Sequence, residues 1–281
     1  MTLAADDLLA SALADLVADM LERRPAALAD EPDAVHQLRT TIRRTRNLLA
    51  AFRGCFEPTA AGELGAALAA HGSVLGECRD LEVRASDAAS ALQTLGLADE
   101  LDRAVVAPLR SGHAVAHAVL VAWHRGAGLA HLDAQLTRWS SAPPLSATAA
   151  RPAELVAPRA VRRQVRRVLR RADEVTTGSP SEEQLHELRK AARRLRHTVD
   201  VAGPAGIDGA VAVGRLGQDV QGMLGDQRDA LLLARHVRAC SRGAADRASY
   251  DRLAEHAEDL ADGALAGLDE ALEALRARAS F

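Results

Sequence analysis

Apolar side chains along this chain return every three or four positions. Leu38, Ile42, Thr45 and Leu49 fall on one arc of a helix advancing about 100° per residue, and Leu188, Ala192, Leu195 and Val199 repeat that arc further on. Val161, Val165 and Val168 mark a third such face. This spacing predicts amphipathic helices that bury one stripe each. Residues of strand type are scattered rather than alternating, so an all-α fold is expected. Breakers at Pro32, Pro58 and Pro108, then at Pro180, Pro204 and Gly243, divide each half of the chain into about four helices. Glu31-Pro32-Asp33 and Ser179-Pro180-Ser181 each supply a polar N-cap candidate ahead of the helix that follows.

The pattern occurs twice. Val35-His36-Gln37-Leu38-Arg39, continuing to Arg43-Arg44-Thr45-Arg46, returns as Leu185-His186-Glu187-Leu188-Arg189, continuing to Arg193-Arg194-Leu195-Arg196. Some forty residues later, Leu75-Gly76-Glu77-Cys78-Arg79-Asp80 returns as Leu224-Gly225-Asp226-Gln227-Arg228-Asp229. Two motifs in the same order at nearly the same offset predict an internal duplication and two four-helix bundles related by a pseudo-twofold axis. The Pro- and Ser-rich stretch between them sets the expected boundaries: a first half over 1–141, a linker over 142–158 and a second half over 159–281.

Composition sharpens this only in part. The 281 residues are 48% hydrophobic, mainly Ala and Leu, and 2% aromatic, which agrees with helix. Three widely spaced cysteines, Cys55, Cys78 and Cys240, form no zinc or redox signature and suit a reducing cytoplasm. The N-terminal residues carry Asp6 and Asp7 and lack a basic leader, so no signal peptide is expected. The apolar run Ala114–Trp123 falls short of the ~20 residues of a membrane span.

Charge changes the picture more. The net charge of −3 hides segregation, because 17 of the 35 basic residues lie in Arg159–Arg171, His36–Arg53 and His186–His197. An acidic body therefore carries basic stripes, and local field matters more than the average. His36, Arg39, Arg43 and Arg46 share one side of their helix, as do His186, Arg189, Arg193 and Arg196. Each stripe is a line of cations about 15 Å long. The first contains no acid and the second only Glu187, so ordinary i,i+4 relief is missing and an anionic ligand is the economical partner. Arg162, Arg163, Arg166 and Arg170 add a third basic face. Guanidinium forks match phosphate oxygens in pairs and stay charged. Several in line suit a linear polyanion, with inorganic polyphosphate the best candidate. Arg79, Arg228, Lys190, His113 and His117 are secondary candidates, and Asp80 and Asp229 are expected to cap a helix or orient an arginine. His113, His117 and His124 share a face, but no acid or cysteine completes a metal set, so neither metal nor cofactor is expected.

These residues resemble the CHAD family, the conserved histidine α-helical domain. The likeness rests on the duplicated His/Arg segments and the two Leu-Gly-x-x-Arg-Asp segments, and it spans nearly the whole chain. It implies paired four-helix bundles whose basic surface or pore binds polyphosphate, lined by His36, Arg39, Arg43, Arg46, His186, Arg189, Arg193 and Arg196. It also implies association with polyphosphate granules in the cytoplasm. The Glu-x-Glu-x-Lys motif of the triphosphatase domain often fused to such domains is absent here, so the expectation is a non-catalytic binder. The alternatives are a nonspecific binder of nucleic-acid backbones and, less favoured, a polyphosphate hydrolase. No aromatic residue lies in a basic stripe to stack a base, which argues against sequence-specific reading. A hydrolase needs an acidic metal cluster or activated nucleophile that the stripes lack. The sequence leaves the oligomeric state open.

Overall fold

A computed structural model describes residues 3–97, 101–176, 180–244 and 246–279. Among them it is helical throughout, with only two isolated β-bridges and no strand. The helices are α1 (Ala5–Leu28), α2 (Ala34–Ala51), α3 (Pro58–Leu95), α4 (Ala107–Trp123), α5 (Ala127–Ser141), α6 (Ala153–Thr176), α7 (Glu182–Ala202), α8 (Ala210–Cys240), α9 (Arg247–Ala264) and α10 (Leu268–Ala277). Each half thus carries five described helices, one more than the breakers suggest. The extra turns end at Gly126 and Gly267, which stand at the N-caps of α5 and α10 where no proline marks the break.

The apolar arcs face inward as expected. Leu38, Ile42, Thr45 and Leu49 are buried on α2, and Leu188, Ala192, Leu195 and Val199 on α7. A first core gathers α1 to α5 around Phe52, Phe56 and Trp139, and a second gathers α6, α7, α8 and α10. A third core ties the halves together at one end. The C-terminal part of α3, Val105, Val106 and Leu109 meet Leu233 and Val237 of α8 and Tyr250, Leu253 and Ala257 of α9. Helices α2 and α7, which carry the two stripes, also pack on each other.

Three boundary expectations change. Pro108 does not break the chain: a π turn over Asp102–Val106 runs directly into α4, and its wider spacing makes room for the proline ring. The continuous run Asp102–Trp123 is consequently 22 residues, long and apolar enough to cross a membrane by length and composition alone. Part of the expected linker is helix, since α6 starts at Ala153 and continues through Pro158, which forgoes the one backbone bond it would make to the Glu154 carbonyl. The remainder is pinned down by backbone bonds from Ala5 to the Arg151 carbonyl, from Glu57 to that of Pro144 and from Ser146 to that of Cys55. Of the two N-cap candidates, Ser181 builds a capping box with Gln184. Ser179 lies outside the described residues. Asp33 stands at the α2 N-cap position but in a left-handed conformation, φ 61°, with no capping bond, and its carboxylate lies toward Arg79 instead.

Candidate functional site

The two stripes converge. His36, Arg39 and Arg43 of α2 and His186, Arg189 and Arg193 of α7 line one cavity of about 280 Å³, closed by Arg79, Asp80, Arg84 and Asp87 of α3 and by Gln221, Arg228 and Asp229 of α8. The second motif therefore serves the same cavity as the first. Its glycine has a local reason. A Cβ on Gly76 would come within 3.2 Å of an Arg39 Nη, and one on Gly225 within 3.0 Å of an Arg189 Nη. Each guanidinium lies flat across the neighbouring helix backbone, and only glycine leaves it room.

The site is densely charged. Burial and the nearby Arg39, Arg189 and Arg196 push Arg43 down to about 10. Burial and the nearby Arg43, Arg189, Arg39 and Arg228 push Arg193 down to about 9. Both stay protonated at neutral pH, so these shifts express desolvation and mutual repulsion that an anion would relieve. The buried Nε atoms of Arg43, Arg189 and Arg193 have no hydrogen-bond partner among the described residues. His36 is held below its ordinary value by burial and then by Arg79, and His186 by burial and then by Lys190 and Arg228.

The repulsion is not wholly uncompensated, as the helix-by-helix reading had it. Acids arrive from neighbouring elements, Asp80 of α3 pairing with Arg39 of α2 at 3.3 Å and Asp33 at the α2 N-cap with Arg79 at 3.7 Å, while Glu82 pairs with Arg79 at 2.9 Å on its own helix. Asp80 thus has the orienting role expected of it. Asp229 lies in the cavity with its pKa raised by burial, against the pull of Arg189 and Arg228. Asp87 is raised by burial and by Asp229.

Other expected residues lie elsewhere. Arg46 lines a second cavity of about 690 Å³ with Arg53, Lys190 and Arg194, and Arg43 and Arg193 line both cavities. Lys190 is also paired with Glu187. Arg196 is outside the main cavity, because ten residues of helix carry it about 15 Å past His186; its charge instead helps lower the pKa of Asp200. Arg162, Arg163, Arg166 and Arg170 are outside the cavity too. Burial of Val161, Val165 and Val168 in the second core turns the opposite arc of α6 away from it, and Arg163 donates to the Ala51 carbonyl. His113 and His117 lie outside the main cavity. His113 sets Nε2 3.0 Å from Asp30 and Nδ1 3.2 Å from the Cys78 carbonyl, and His117 donates to the Ala27 carbonyl. His124 bonds within its own turn to Leu120. Among the described residues no group of three or more His, Cys, Asp or Glu is placed to hold a metal.

Sequence reasoning promoted Arg79 and Arg228 too little and missed Arg84, Asp87 and Gln221. Arg84 and Asp87 lie four and seven residues beyond Asp80, so helical periodicity extended from the second motif would have found both.

Solved structures share this architecture. PptA from Streptomyces chartreusis superposes with a TM-score of 0.71 at 16% identity, covering 98% of this chain and 99% of that one. The CHAD domain from the plant Ricinus communis does so at 0.67 and 17% identity, covering 99% and 92%. In sequence, MT2285 of Mycobacterium tuberculosis (strain CDC 1551 / Oshkosh) is 29% identical over 279 residues, and this chain spans about half of that protein's length, 52%. The CHAD domain family model matches residues 11–238. With the duplicated His/Arg rows inside that span, the chain belongs to the CHAD family.

Proposed function

We propose that this protein binds inorganic polyphosphate without cleaving it. The observation that carries the reading is the convergence of both His/Arg rows on one cavity, where buried arginine Nε donors lack hydrogen-bond partners among the described residues. Guanidinium forks spaced along two helices match the oxygens of a repeating phosphate chain. The position of Arg43 and Arg193 on both cavities gives such a chain a continuous cationic path from one to the other. A hydrolase would need a metal cluster or an activated nucleophile beside the arginines, and among the cavity's carboxylates Asp80 is engaged with Arg39 instead. Binding of this kind would bring the protein to polyphosphate granules in the cytoplasm.

The test is a calorimetric titration with long-chain polyphosphate and with pyrophosphate at several salt concentrations, with polymer length checked afterwards. Log affinity for the long chain should fall with log salt at a slope on the order of −5, from about eight cations releasing about 0.7 counterion each. Pyrophosphate should bind weakly, and the polymer should stay intact. An affinity insensitive to salt and equal for both ligands, or release of phosphate that disappears in an Arg43→Ala, Arg193→Ala variant, would overturn the reading.

A further inference from the structure

Away from the cavity, two helix faces carry opposite charge in the same register. On α6, Arg159, Arg163, Arg166, Arg167 and Arg170 share an arc about 100° wide and about 16 Å long. On α9, Asp251, Glu255, Glu258, Asp259 and Asp262 share another. In both rows the later members stand four, seven, eight and eleven residues after the first. Arg167 and Glu258 are half-buried and the other eight side chains are exposed.

Neither row is answered within the chain. No acid lies between Arg159 and Arg171 to relieve the i,i+4 repulsion on α6. Arg163 donates to the Ala51 carbonyl, and Arg159, Arg166, Arg167 and Arg170 form no ion pair among the described residues. On α9, Glu258 is taken by Arg238 and Arg252 stands at the edge of the row. Asp251, Glu255, Asp259 and Asp262 form no ion pair among the described residues. The two helices also belong to different cores, α6 to the second and α9 to the third.

We propose that these faces join copies of this chain, the α6 row of one copy lying along the α9 row of the next. A second copy supplies the matching spacing, whereas a phosphate polymer or a nucleic acid would answer α6 and leave α9 facing solvent. Because the two faces differ, the contact is heterologous: each copy offers α6 to one neighbour and α9 to another, and assembly runs into a ring or an open chain. Three turns of helix against three turns cover far less than the ~1,600 Å² of a standard stable interface, and exposed ion pairs each contribute little. The association is therefore weak, and salt dissolves it once the Debye length falls well below the ~10 Å it has at 0.1 M. It does not depend on what fills the arginine cavity.

Sedimentation velocity on the full chain at high protein concentration, in about 20 mM and about 500 mM salt, brackets that length. The weight-average mass should reach at least that of two chains in the dilute salt and fall to one chain in the concentrated salt. Reversing α6 (Arg159→Glu, Arg166→Glu, Arg170→Glu) or α9 (Asp251→Arg, Glu255→Arg, Asp262→Arg) should hold the mass at one chain in both. A chain with all six changes keeps the net charge of the unaltered protein with its rows exchanged, and it should regain the larger mass in dilute salt. Circular dichroism reports that each variant is folded. A mass of one chain for the unaltered protein in dilute salt overturns the proposal, as does association that survives either reversal, or a folded six-change variant that stays at one chain. A loss of polyphosphate or duplex DNA affinity on reversing α6, with the mass at one chain throughout, would assign these arginines to a polymer and overturn it equally.

Discussion

His36 and His186 sit in the cavity with opposite pressures on them. Burial and neighbouring cations hold both imidazoles below their ordinary value. A bound phosphate chain supplies negative charge and raises them. A group whose pKa is higher in the complex than in the free protein takes up a proton on binding, so affinity strengthens as pH falls toward the free-state values and weakens as it rises past the bound ones. Asp87 and Asp229 act in the same direction, because their raised values bring loss of competing negative charge closer to neutrality. Polyphosphate should therefore bind more tightly at pH 6 than at pH 8, and His36→Gln with His186→Gln should flatten most of that difference. Titration at the two pH values reads it, and a pH-independent affinity in the unaltered protein would remove the imidazoles from the site.

At the scale of helices, the placing of a guanidinium depends on the helix beside it. Arg189 of α7 lies against Gly225 of α8, and Arg39 of α2 against Gly76 of α3. Gly225→Ala puts a methyl 3.0 Å from the Arg189 Nη, so the guanidinium has to give by a few tenths of an ångström. Helix content should stay the same or rise, since alanine is the better helix former by about 1 kcal/mol. Polyphosphate affinity should nevertheless fall, though less than in Arg189→Ala, and the double variant should be no worse than Arg189→Ala alone. Additive losses in that cycle would show that the glycine acts otherwise.

The same pair explains what the sequence made legible. The stripes, their buried arcs and the pairing of two motifs are periodic features, so His36, Arg39, Arg43, His186, Arg189 and Arg193 were readable as a set. Which further side chains join them depends on how helices cross, which no single helix encodes. That is why Arg84, Asp87 and Gln221 escaped notice while Arg166 and Arg170, equally basic and equally periodic, proved to face away. The π turn before Pro108 and the acids that reach the arginines from other helices are likewise outcomes of packing.

For the whole molecule, the decisive fact is that like charges are buried where the halves meet. Arg43 and Arg193 repel each other in a desolvated site, and the third core together with the α2–α7 contact holds them there. Arg193→Met keeps the apolar stem and removes the charge. It should raise the free protein's stability by about 1 kcal/mol, as relief of a strained functional site commonly does, while weakening polyphosphate binding. Thermal melts with and without polymer check this: the variant should melt higher than the unaltered protein when free and gain less when polymer is added. A variant that melts lower in both conditions would show that Arg193 stabilises the fold. The buried repulsion also has a consequence in the cell. A protein whose unliganded form is its less stable form exposes itself to proteases in proportion to how much of it is empty. Its abundance would then follow the supply of its ligand with no change in transcription, falling as polymer is consumed and recovering as it accumulates. Turnover of this chain, measured by pulse-chase in cells with and without polyphosphate, would differ accordingly, and the difference would be smaller for the Arg193→Met variant.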